Sequence, residues 1–445
     1  MTSVFLALLF SLPAVAANLP FQDTAFGCLS QAQADRYVAD FGIDVQSFGG
    51  MHLCHSKDIK KLFNDLFLIE KTQFDADGAH SFTRGFVASD DYYGWMKRET
   101  RGVARDFSPS TDTARNVDGY FTLFNDWATQ STLGRVGTMI HEARHTAGYR
   151  HTLCSRGPYA DTYEMACDLS YGEGGSHSVE MEYYARVVLN GKNLHPAYKS
   201  MARLMALGRS NFVFNKTPLR QREGLLALSG QKKLVLVDGK NTFERETPNA
   251  AAGSLLKRTS FGASLVKGLH AVPVDVYNFS NYVESDDYSY YKLPSTTRPE
   301  GLGNVQSIEE IDIGRFRHFA ILGNGGRVFS YQFISGDWLS SSENLPAAQA
   351  FVTRAPNGAH GLFVVSRDGT ISPYDLERNA FSKPLAERWT KDTRAYAMMG
   401  GSLIRLTADG RVLHASTNAP VLAFGKYNIT DLVNIPLYDT FEVAR

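Results

Sequence analysis

The stretch HEARHTAGYRH, residues 141–151, places three of the chain's twelve histidines within eleven residues. His141 and His145 are four apart. On a helix of 3.6 residues per turn they stand one above the other on one face, where two imidazole nitrogens can meet a single metal ion. Glu142, one residue on, flanks that face and is placed to act as a base. Upstream, Leu133, Val136, Met139 and Ile140 give the same helix an apolar side, with Thr132 expected as its cap. Gly134 and Gly137 lower helix propensity, which points to a neighbour packed closely there.

Gly148 explains the remainder of the stretch. A helix commonly ends at a residue with positive φ, which glycine adopts with least strain. On a continuous helix His151 would stand about 280° around from His141. With the helix ended at Gly148, the chain can turn back and bring His151 to the same ion. Three neutral imidazoles with a fourth position open make a catalytic zinc site rather than a closed structural one. Glu164, nineteen residues after His145, is the rival third ligand, with Glu180 and Glu182 further along. Asp168 is a candidate to orient a ligand histidine.

The spacing His141-Glu142-x-x-His145-x-x-Gly148-x-x-His151 resembles the zinc motif of metzincin metallopeptidases. The resemblance covers these eleven residues. It implies a zincin-like α+β fold, His141, His145 and His151 as Zn2+ ligands, and Glu142 as general base. The chain departs from the family pattern at Arg144, where an uncharged residue is usual. The family's methionine turn has two candidates here, Met165 in TYEMACD and Met181 in SVEMEYY, and neither matches its form.

Working outward, the 445 residues exceed one ordinary core and suggest more than one domain. Residues 18–212 carry mainly helical patterns: QAQADRYVADFG, then Ile59, Leu62, Phe63, Leu66 and Phe67, then SVEMEYYARVVL and HPAYKSMARLMALG, with Gly208 expected as a stop. GYFTLFNDWA, 119–128, suits a strand before the histidine helix. SYGEGGSHS, 170–178, is Gly- and Ser-rich and is expected to form a loop that leaves His177 solvated.

From about residue 213 the texture becomes all-β. Hairpin patterns recur at GLLALSGQKKLVLVDG, FAILGNGGRVFSYQF, GLFVVSRDGTISPYDL and SLIRLTADGRVLHAS. The last three align on Gly326, Gly369 and Gly410, spaced 43 and 41 residues apart. Such a period over residues 213–445 predicts a β-propeller of about five blades, one of them divergent, between the first and second hairpins, with a two-sheet β-sandwich as the alternative. NYVESDDYSYYKLP, 281–294, reads as an exposed inter-blade loop.

Residues 1–17, with the apolar run VFLALLFSLPAVAA, read as a secretory signal peptide. Four cysteines in that context predict two disulfides. Of three possible pairings, the sequence-local one, Cys28–Cys54 with Cys154–Cys167, is favoured over a metal site at His52, Cys54 and His55. Lys and Arg total 46, as do Asp and Glu, so no charge excess argues for nucleic acid, and the apolar N-terminal run is short for a membrane span. The expected function is secreted zinc-dependent peptide-bond hydrolysis, with protein or peptide substrates and a surface or protein partner for the propeller. The alternatives are a zinc hydrolase of a non-protein amide and a non-catalytic propeller protein with a structural metal.

Overall fold

A computed structural model describes residues 18–441, apart from 56, 76–81, 84, 111, 158, 161–164, 248–249, 251–252, 260–261, 268–269, 278–298, 314–315, 325–326, 333–337, 341–347, 377, 379 and 440. The leader at 1–17, Glu164, the 281–294 segment and Gly326 therefore lie outside the described residues.

Among the described residues, seven helices build the first part: α1 (Gln31–Phe41), α2 (Asp58–Lys71), α3 (Tyr92–Glu99), α4 (Asn125–Thr129), α5 (Thr132–Thr146), α6 (Ser176–Asn190) and α7 (Pro196–Phe212). The apolar spacing Ile59, Leu62, Phe63 and Leu66 is buried on α2 as expected, while Phe67 is half-buried. Helix α5 lies at the centre, in contact with α2, α3, α6 and the strand Ala114–Val117. Ser131, not Thr132, caps it: its side chain accepts from the Gly134 amide, and Thr132 opens the first turn. Gly208 does not stop α7. It is buried inside the helix, which runs on to Phe212, so packing outweighs glycine's poor propensity of about 1 kcal/mol. The 119–128 stretch divides into a strand, Tyr120–Leu123, and α4.

Two three-stranded sheets flank the helices. Tyr120–Leu123 lies between a parallel neighbour, Gly102–Arg105, and an antiparallel one, Ala114–Val117. Met165–Ser170 lies between Thr152–Leu153 and Phe214–Lys216, so the first part continues past 212 to include the strand at 214–216. Cys28 bonds Cys54, and Cys154 bonds Cys167. Cys54 is thus no metal thiolate. Disulfides of this kind persist in oxidising compartments outside the cytosol.

The rest of the chain is strand-rich. Its described strands form five small antiparallel sheets, taken in order. The first joins Gln221–Ser229, Lys233–Asp238 and Asn241–Glu246. The second comprises Leu255–Thr259, Gly262–Lys267 and His270–Val274 and fills the interval expected to hold a divergent repeat. The others begin at Val305–Ile313, Ala348–Arg354 and Thr393–Met399. Each quoted hairpin pattern forms a hairpin, and Gly369 and Gly410 take φ of +83° and +85° at the turns. The last strand, Ile429–Tyr438, returns to pair with Gln221–Ser229 in the first sheet. It and the first strands of the other four sheets pack side by side in a ring.

The helical and strand-rich parts share one apolar core, which runs from α2 and α5 through Phe212 and Leu226 to Tyr277, Tyr438 and Phe441. Asn211 on α7 donates to the Tyr438 hydroxyl at 2.8 Å, and Arg203 pairs with buried Asp275. No helix of the described residues is long and apolar enough to cross a membrane.

Candidate metal centre

Helix α5 presents His141 and His145 from one face, with their Nε2 atoms 3.2 Å apart. Ala147 caps the helix, and Gly148 follows at φ +85°. The chain turns back there, and His151 Nε2 arrives 3.0 Å from His141 Nε2. The reversal that the sequence requires at Gly148 is present, and the three nitrogens form one cluster that could hold a metal ion.

The outer nitrogen of each ring faces an acceptor. His151 Nδ1 lies 3.1 Å from Asp168 Oδ1. His141 Nδ1 lies 3.5 Å from Glu180 Oε2. His145 Nδ1 lies 2.5 Å from the Tyr149 carbonyl and 3.1 Å from Ser176 Oγ. Ionised carboxylates and a carbonyl can only accept, so each Nδ1 carries the proton. In a neutral ring Nε2 then holds a lone pair, and the three Nε2 atoms converge. A cation relieves that arrangement. Tetrahedral Zn–N bonds of about 2.0–2.1 Å put nitrogens about 3.3 Å apart, close to the distances seen. Imidazole also suits copper, iron and nickel, so the donor set fits a transition metal without choosing one.

The electrostatics favour the same state. Burial pushes His141 well below the ordinary histidine range, with the neighbouring imidazoles His177, His151 and His145 adding to it. Burial likewise brings His145 down to about 4. Burial alone would raise Asp168, but the His151 hydrogen bond and nearby imidazoles bring it down to about 2. Burial also opposes ionisation of Glu180, and Arg209, His141 and His177 reverse this, holding it well below the usual range. Neutral rings held by ionised carboxylates are the form that binds metal. Glu142 behaves oppositely. It is buried, and burial pushes its carboxyl up to about 8, with Asp112 and Glu180 adding negative charge.

The loop expected at 170–178 is a strand end and a short 3-10 turn, and His177 lies in the first turn of α6, buried rather than solvated. Its ring stacks on His151 with centroids 4.6 Å apart and lies 4.4 Å from His141. Its backbone amide and that of Ser178 donate to Asp168 Oδ2 at 3.1 and 3.2 Å. Asp168 thus bridges a helix N-terminus and the His151 ring. Glu180, one turn further on α6, also accepts from Tyr184 and pairs with Arg209. His177 and Glu180 form a second cluster of potential ligand atoms with His141, but Arg209 at 2.8 Å already supplies the positive charge there. Glu182 accepts from the Gly85 and Phe86 amides instead, at 2.6 and 2.9 Å. Met165 is exposed on a strand and Met181 is buried within α6, so neither occupies a turn under the histidines.

No protein family and no curated protein matches the chain. Among the solved structures that match, three show how low the similarity is. The WD40 β-propeller domain of Doa1 is 12% identical, with a TM-score of 0.25, covering 45% of this chain and 64% of that one. Apo AztD from Citrobacter koseri is 15% identical with a TM-score of 0.21, covering 49% and 52%. The computationally designed Ika8 is 10% identical with a TM-score of 0.23, covering 49% and 68%. The chain thus spans about half to two thirds of their lengths.

Proposed function

We propose that the chain is a secreted zinc-dependent metallopeptidase whose catalytic part is followed by a five-bladed β-propeller. The observation that carries this reading is the convergence of three Nε2 atoms at 3.0 and 3.2 Å, each ring fixed by an acceptor at its far nitrogen, beside a buried glutamate. When bound, zinc on three imidazoles supplies Lewis acidity and lowers the pKa of water towards neutrality.

The chain's own residues divide the remaining work. His141, His145 and His151 hold the ion through Nε2. Asp168, Glu180 and the Tyr149 carbonyl fix the three rings, and His177 packs behind two of them. Glu142 would take a proton from the water that attacks the peptide carbonyl and return it to the amine that leaves as the C–N bond breaks. Burial, which favours the protonated carboxyl, helps it to hold the proton between those two steps. Five antiparallel sheets in sequence order, a ring of first strands and a last strand completing the first sheet support the propeller. In this reading the propeller engages the protein substrate or a partner surface.

The test is hydrolysis of an unfolded protein by zinc-loaded wild type and by Glu142→Gln. Wild type cleaves. The variant keeps its metal and loses about 10²–10⁴-fold in rate, the range a positioned proton carrier supplies. Undiminished cleavage by the variant, or none by the zinc-loaded wild type, overturns the reading.

A further inference from the structure

Arg144 stands between Glu142 and His145, and the proposed reaction gives it no work. On α5 it lies on the flank of the histidine face opposite Glu142. Its Nε donates to the Gly174 carbonyl at 2.7 Å. Its guanidinium carbon sits 3.9 Å above the Tyr149 ring. The carbonyl of that same Tyr149 accepts from His145 Nδ1 at 2.5 Å. One residue therefore ties the guanidinium to a histidine of the triad. Gly174, at φ +65°, makes room: a Cβ there would meet Phe86 at 2.9 Å and Arg144 Nη2 at 3.2 Å.

Both anchors are neutral. Arg105 pairs with Asp58, Arg135 with Asp23 and Asp65, Arg186 with Asp90 and Glu182, Arg203 with Asp275, and Arg209 with Glu180. All are set inward in the same part of the chain. Arg144 is half-buried, and no carboxylate among the described residues pairs with it. A planar fork held by a carbonyl and an aromatic face, with its charge unmatched, is a pre-organised receptor for carboxylate.

We propose that Arg144 binds a carboxylate of the substrate next to the metal, an assignment that rests on the peptidase reading. An acidic side chain and a free C-terminus both supply that chemistry. The test titrates fluorescent peptides into zinc-loaded Glu142→Gln protein, so that binding is read by anisotropy without turnover. One peptide is neutral and amidated. A second set is amidated, with glutamate scanned in place of glutamine. A third has the neutral sequence with a free C-terminus. A carboxylate-bearing peptide is expected to bind at least about tenfold tighter than the neutral one, and the arm that does so identifies the source. Adding Arg144→Gln removes the difference. Arg144→Lys, which keeps the charge and loses the fork, retains part of it. Equal or undetectable binding of all peptides, or a difference that survives Arg144→Gln, overturns the proposal. Cleavage by the wild type is measured alongside. No cleavage with the binding difference intact removes the peptidase reading and leaves the carboxylate site.

Discussion

At the scale of single residues, Asp168 connects the α6 N-terminus to the third histidine. Its Oδ2 takes the amides of His177 and Ser178, while Oδ1 faces His151. Asp168→Asn keeps the shape and removes the charge that sets the ring's proton on Nδ1. Loss of such an outer partner weakens metal binding by about 10–100-fold. Competition with a chromophoric chelator measures this, and unchanged zinc affinity would contradict the role. The triad was legible because its members lie within eleven residues and report their own spacing. Asp168 was visible as a carboxylate near the motif. His177 and Glu180 were not legible as partners, because α6 brings them from 26 to 39 residues away and no local pattern records that packing. The solvated loop expected around His177 failed for the same reason: Gly and Ser composition does not reveal what packs over it.

Among elements, the crossing of α5 and α6 sets the site. A Cβ on Gly137 would lie 1.8 Å from the Tyr184 hydroxyl and 3.0 Å from Glu180 Oε1. The close neighbour that this glycine implied is therefore Tyr184. Gly137→Ala forces the buried Tyr184 side chain to shift or the two helices to part, costing about 1–3 kcal/mol. Glu180 moves with Tyr184, so the hold on His141 loosens as well. Urea denaturation and zinc titration of the same variant should both shift. A variant as stable as wild type with full zinc affinity would show that the crossing does not position the metal site.

For the whole molecule, α5 is anchored at its start by a buried ion cluster. Arg135, fully buried, meets Asp65 and Asp23, each at 2.8 Å. Burial opposes ionisation of Asp23, but Arg135, Asn64 and Lys61 outweigh it and hold the carboxyl below its ordinary value. Its contribution is then full above the unfolded value of about 3.9 and lost as pH falls through the lower folded value. Asp23→Asn should cost about 1–3 kcal/mol at pH 6. The gap from wild type in urea midpoint should narrow below pH 4, and a gap constant with pH would contradict this account. At this scale the individual hairpins were legible from Gly-centred turns between alternating strands. The pairing of the last strand with the first was not: Val433 pairs with Leu226 across some two hundred residues, a contact that no local pattern records. The shared core between the two parts was equally hidden, since Phe212, Tyr277 and Phe441 are ordinary aromatics until they meet.

The measurement that tests the central claim most directly is zinc per chain, by elemental mass spectrometry, on protein purified without a histidine tag and offered an excess of zinc. The account predicts about one zinc per chain, reduced to near zero in His145→Ala. No bound zinc, or zinc retained at one per chain when His145 is removed, would contradict it.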